Sequence, residues 1–88
     1  MKQWEGLGLS KGEKIGQELA YEAWHAAMKF PPFHSTHEGI AIIREEYIEL
    51  EDEVFMKQSE YDLVKMRREA VHLGAMALRF IHDLMEEK

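Results

Sequence analysis

The two prolines of this 88-residue chain are adjacent, Pro31-Pro32, and no other feature restricts its folding as much. A proline lacks the N–H that an interior helical turn requires, and it pushes the residue before it, here Phe30, towards an extended conformation. Five of the six glycines also precede position 40, so the breaks fall early in the chain. Before the prolines, from Lys11 to Phe30, the residues Ile15, Leu19, Ala23, Ala26, Ala27 and Phe30 recur at helical spacing, with Glu22 among them. Residues 1–10 hold Gly6, Gly8 and little periodicity, and read as an irregular arm in which Trp4, Leu7 and Leu9 pack locally. The first predicted helix therefore spans residues 11–30.

After the prolines, Ser35-Thr36-His37-Glu38 is a capping box, in which the serine accepts from a backbone N–H and the glutamate reaches back. It opens a second helix, predicted at 36–57, with Ile40, Ile43, Tyr47, Leu50 and Val54 keeping a heptad stripe. Gln58-Ser59 marks a turn, and Ser59 with Asp62 offers a weaker cap for a third helix at 60–86. From Ala70 to Ile81 only His72 and Arg79 interrupt an apolar run, which requires burial on several sides. Three helices from one short chain can hardly cover it. The expectation is a single all-α domain over residues 1–88, an antiparallel helical bundle completed by a dimer or a higher even oligomer. No strand pattern, internal repeat or low-complexity tract is present.

Composition narrows the chemistry. With 45% hydrophobic and 32% charged residues the chain suits a globular domain rather than a disordered one. The absence of cysteine excludes disulfides, thiolate metal sites and a cysteine nucleophile. Without a signal peptide or an apolar run approaching 18 residues, a cytoplasmic location and no membrane partner are expected. No H-E-x-x-H, phosphate-binding glycine loop, basic patch or nucleophile motif occurs. Of 17 acids and 11 bases, seven acids and only Arg44 lie between Glu38 and Glu53; without that segment ten of each remain. Nucleic acid would be repelled there unless a cation intervened.

At about 100° per residue, Glu45, Glu46, Glu49, Asp52 and Glu53 share an arc of roughly 120°, opposite the apolar stripe. Such a face is either solvated or a divalent-cation site. Like charges stand at i,i+4 in Glu45/Glu49 and Glu49/Glu53, each costing about 0.2–0.5 kcal/mol, with no lysine at the complementary spacings. In the third helix Glu69 and His72 share a face at i,i+3, and Glu69 is the only acid between Asp62 and Asp83. An acid at the head of an apolar run requires solvent, a base or a metal. Arg68 and Arg79 are candidate bases, Arg79 being also i,i+4 to Asp83, so an interhelical salt bridge is the alternative reading of Glu69.

Glu45-Glu46-Tyr47-Ile48-Glu49 followed by Glu69-Ala70-Val71-His72 resembles the E-E-x-x-E and E-x-x-D halves of the MazG-like nucleotide pyrophosphohydrolases. His37-Glu38-Gly39, Glu49-Leu50-x-x-Glu53-Val54 and Ala75-Met76-Ala77-Leu78-Arg79-Phe80-Ile81 extend the resemblance over residues 30–84. It implies an all-α fold and Mg²⁺-dependent hydrolysis of a nucleoside triphosphate to monophosphate and pyrophosphate. It further implies Glu46, Glu49 and Glu69 as metal ligands, and Glu45 as a further ligand or the group that orients water. His72 departs from the family's aspartate: it is either a ligand that shifts preference towards Mn²⁺, or the mark of a site with three ligands or a lost activity. A non-catalytic helical oligomer for protein binding is the alternative function.

In an antiparallel pair, the twenty residues between Glu49 and Glu69 bring both to one level, so Glu46, Glu49 and Glu69 are expected to converge beside His72. Lys29 and Arg79 are candidate phosphate contacts. Trp24, Phe30 and Phe33 either stack on a base or, the preferred reading, seal the helix junction. His25, His34 and His37 lie on or near the proline loop, with His37 and Glu38 read as capping residues. The methionines, Met66, Met76 and Met85 among them, are read as core. No residue reads the base.

Overall fold

A computed structural model describes residues 9–56 and 62–86, in which the chain forms three helices and no strand. These are α1 (Leu9–Lys29), α2 (Thr36–Val54) and α3 (Leu63–Leu84). The domain is all-α, as the periodicity requires, and no helix among the described residues is long and apolar enough to cross a membrane. Helix α1 starts at Leu9, two residues before the predicted boundary, and ends one residue before Phe30, as the prolines dictate. Most of the expected arm, the turn at Gln58-Ser59 and the Ser59 cap lie outside the described residues.

The helix termini follow their caps. Ser35 Oγ accepts from Glu38 N–H at 3.1 Å, the first half of the capping box. The reciprocal half is displaced by one residue: Glu38 accepts from the N–H of His34, at 2.8 Å, instead of that of Ser35. That bond holds the Glu38 carboxyl below the usual range, with the His34 ring assisting. α2 stops at Val54, three residues short of the predicted end, with Phe55 as its C-cap. α3 opens at Leu63 rather than Glu60, because Asp62 is extended and its carboxylate accepts from Lys65 N–H at 3.0 Å. Its end falls at Leu84, two residues before the prediction.

α3 packs against both other helices, whereas α1 and α2 do not pack against each other. Beside α1, Arg67 grips Glu18 with two bonds of 2.6 and 2.7 Å, and Leu19 lies on Gly74, where a Cβ would come within 2.9 Å. Beside α2, Phe80 and Phe33 press on Gly39, Glu46 faces His72, and Lys65 meets Glu53 at 3.3 Å. A Cβ on Gly39 would stand 2.6 Å from Phe80 Cδ2, so a side chain there would separate the helices. The core is small: Ala23, Phe33, Ala75 and Met76, with Ile42, Ile43, Leu78, Phe80 and Leu84 around it.

The expected turn of the acidic face of α2 towards α3 holds at Glu46 and Glu53, whereas Glu49 is exposed. The apolar stripe does not face α3: Ile40, Tyr47 and Val54 are exposed, and only Ile43 and Leu50 are partly covered. Gly39, Ile42, Glu46 and Glu53 turn inwards, about 90° round the helix from the stripe, so α2 presents the boundary between its two faces. Close approach at Gly39 and the Glu53–Lys65 ion pair hold that orientation. Phe33 seals the junction as expected, at 5% exposure, but Trp24 and Phe30 do not; both are more than half exposed. Of the methionines read as core, Met76 is buried, Met66 partly covered and Met85 exposed.

Candidate functional site

The space left between α1 and α2 is a cavity of about 460 Å³ floored by α3, in the size range of small-molecule sites. α1 contributes Glu22, His25, Ala26 and Lys29, with Phe30 just beyond it; α2 contributes Ile42, Glu45 and Glu46; α3 contributes His72, Ala75 and Met76. The α2 wall is acidic, the α1 wall carries a lysine beside Glu22 and His25, and the floor sets His72 beside the apolar Ala75 and Met76.

Glu46, Glu69 and His72 each offer one ligand atom, and the three atoms lie within 4.8 Å of one another. His72 Nδ1 is 4.0 Å from Glu46 Oε2 and 3.9 Å from Glu69 Oε2. Both carboxylate oxygens are shut off from solvent, and neither has a hydrogen-bond partner. Glu69 is 9% exposed. Burying a carboxylate oxygen with nothing to bond costs several kcal/mol, roughly, if it is charged. These separations are too long for hydrogen bonds; at a metal–oxygen length of about 2.1 Å neighbouring ligands stand about 3 Å apart, so the three side chains would close in by about 1 Å to share a cation.

The electrostatics agree. Burial pushes the Glu46 carboxyl above the usual 4.5, and the charges of Glu49 and Glu69 add to it, against a smaller opposing effect of His72. Burial likewise raises Glu69, the nearby Glu49 carboxyl raises it further, and His72 and Lys65 offset part of this. Two carboxylates are thus held where their charge is unfavourable, a condition that a cation would relieve. The donor set of two carboxylates and one imidazole fits a divalent ion of intermediate hardness, such as Mn²⁺, better than one that demands oxygen alone.

Of the expected site residues, the structure brings Glu46, Glu69 and His72 together. Glu49 is exposed, close enough to act on both carboxyls, and outside the compact triad. Glu45 and Lys29 line the cavity beside the triad. Trp24 and Arg79 do not; they line a separate, smaller hollow between α1 and α3. Trp24 clusters with Tyr21 and His25 on α1, with ring centroids 6.1 and 5.6 Å from it. Arg79 is 5% exposed and already engaged: it donates to Pro31 O at 2.9 Å, covers the Phe33 ring at 4.6 Å and faces Asp83 at 3.7 Å. Those contacts make Arg79 a clamp on the proline corner. Glu69 does not form the interhelical salt bridge that was its alternative: its Oε2 has no partner, and Arg79 is paired elsewhere.

Glu22 and His25 on α1 were missed as site residues. The signal for Glu22 was legible, because it interrupts an apolar helical stripe just as Glu69 does. No family profile, curated protein or solved structure matched the chain on comparison.

Proposed function

We propose that this protein is a divalent-cation-dependent nucleotide pyrophosphohydrolase, which hydrolyses a nucleoside triphosphate to its monophosphate and pyrophosphate. One observation carries the reading: two buried carboxylate oxygens from different helices, both without partners, face one imidazole nitrogen at 3.9–4.0 Å on the wall of a cavity. Glu46, Glu69 and His72 hold the cation, with Glu49 as a further ligand from the rim. Bound there, Mg²⁺ or Mn²⁺ supplies the charge that lets a polyphosphate enter an acidic site and the Lewis acidity that phosphorus chemistry uses. Glu45 orients water, Lys29 contacts phosphate from the opposite wall, and Phe30 offers an apolar surface to the base. Pairing α2 and α3 as antiparallel neighbours sets the ligands at one level.

The exposed apolar residues support the oligomer. Ile40, Tyr47 and Val54, with Ile48 and Phe55, line the outer side of α2, and no large side chain among the described residues is completely buried. The radius of gyration is 14.6 Å, against about 11–12 Å for a compact chain of this length. A second copy covers that face, as a dimer or within a tetramer.

The test is pyrophosphate release from a panel of standard and modified triphosphates with Mg²⁺ and with Mn²⁺, comparing wild type and Glu46→Gln. Release by the wild type, lost in the variant, is expected. His72 in place of aspartate favours a second reading, a non-catalytic oligomer that keeps the fold for protein binding. Oligomerisation without hydrolysis of any triphosphate would select it.

A further inference from the structure

We propose that Glu22 is a positioning residue for the candidate cation site, holding the His72 imidazole so that Nδ1 presents its lone pair to the ion. This rests on the cation-binding reading above and adds a residue from α1, which none of the expected ligands occupies.

The two nitrogens of His72 look in opposite directions across the ring. Nδ1 faces Glu46 and Glu69, while Nε2 faces Glu22 Oε2 at 4.0 Å. Glu22 therefore cannot share an ion bound at Nδ1; it stands behind the ring. A histidine that ligates a metal through one nitrogen commonly donates its other N–H to a carboxylate, which selects the tautomer and fixes the ring plane. The remaining gap exceeds hydrogen-bond length by about 1 Å, and rotation within the half-exposed Glu22 side chain closes it. Of the two arginines that line the same hollow, Arg67 is held by Glu18 through two bonds, and Arg68 makes no ion pair with Glu22. The site is more than an acidic cluster because the buried Glu69 oxygen, with no partner, is aimed into it.

An aspartate at this position has no ring N–H from which Glu22 could accept, whereas an imidazole that ligates through Nδ1 offers one. Glu22 would thus accompany the His72 departure from the family pattern, and its effect should pass through His72 alone.

The experiment measures Mn²⁺ affinity by calorimetry for wild type, Glu22→Ala, His72→Asp and the double variant, with circular dichroism to establish that each is folded. Glu22→Ala should lower Mn²⁺ affinity about 10- to 100-fold, and the same change in the His72→Asp background should alter it by less than about twofold. Glu22→Gln, which can still accept from Nε2–H, should recover part of the loss. If Glu22→Ala binds Mn²⁺ as wild type does, the proposal fails and the cation site stands. An equal loss in both backgrounds overturns it too, because Glu22 would then act as a ligand or through its charge. No Mn²⁺ binding by the wild type removes the cation site and this role together.

Discussion

Two groups of buried charge lie along α3, and they are built on opposite terms. Near its C-terminal end, Asp83 accepts from Phe33 N–H at 3.0 Å, pairs with His82 at 2.9 Å and faces Arg79, which itself holds Pro31 O and Phe33. Two turns and more before it, Glu69 and Glu46 bury oxygens that meet nothing. In the first group the partners are side chains and backbone of the same chain, apart from Arg79 Nε. In the second, no group among the described residues hydrogen-bonds those two oxygens. Charge that completes itself within the fold stabilises the fold, while charge left incomplete at a cavity wall is available for a ligand.

The largest effect should come from dismantling the self-contained corner. Arg79→Ala leaves Asp83 buried without its cation and uncovers Phe33, and a loss of about 3–5 kcal/mol in urea unfolding is expected. Arg79→Lys keeps the charge without the planar fork and should recover only part of it. A cost below about 1 kcal/mol would mean that the corner is not what holds the proline loop.

Glu69→Gln should behave in the opposite way. Mn²⁺ affinity, followed by calorimetry, is expected to fall at least about 100-fold, while the protein in a chelator melts no lower than wild type. Removing one of several crowded negative charges relieves repulsion and leaves the packing unchanged. A large loss of metal-free stability would instead make Glu69 a structural charge like Asp83.

The close approach beside the corner gives a smaller, purely steric contrast. Gly39→Ala drives a methyl group into Phe80 and Phe33, and should cost about 1–3 kcal/mol by chemical denaturation. Gly16→Ala, with open space around it, should stabilise α1 by about 0.5–1 kcal/mol.

The smallest effect, and the most diagnostic, is the pH profile of melting in the absence of metal. Burial alone would raise Asp83, but His82, the Phe33 N–H and Arg79 together hold it below the usual 3.8. Its contribution is therefore present above that value and lost as pH falls through its folded pKa. Glu46 and Glu69 are raised, so theirs is present below 4.5 and lost as pH rises through their folded values. Stability should peak between the two limbs. Asp83→Asn should flatten the acid limb, and Glu69→Gln or added Mn²⁺ the other. A profile in which Mn²⁺ leaves the upper limb unchanged would count against the cation site.

Much of this architecture was legible in single residues. Pro31-Pro32 ended α1, Ser35 and Glu38 marked the start of α2, and the apolar run after Glu69 required burial on several sides, which packing of α3 on both other helices supplies in part. Glu69 was readable as a site residue because an acid heading an apolar run demands a partner. Less legible was the rotation of α2. Its heptad stripe is the strongest periodic signal in the helix, yet the stripe faces outward from the subunit. Periodicity states that a face will be covered; it does not say by which neighbour.

The sequence by itself determined where α1 ends and α2 begins, because proline geometry and capping bonds act over a few residues. It also determined which carboxylates could share a level, because helical rise is constant. Only the tertiary structure decided which of them meet. Gly39 lets the Phe80 ring approach and Lys65 draws in Glu53, and the resulting rotation carries Glu46 inwards to His72 while leaving Glu49 at the rim. It also decided that Arg79 would be consumed by the proline corner and that Glu22 would stand behind His72. Those outcomes depend on contacts between residues from 12 to 50 apart in the chain, on different elements, where local spacing carries no information about orientation.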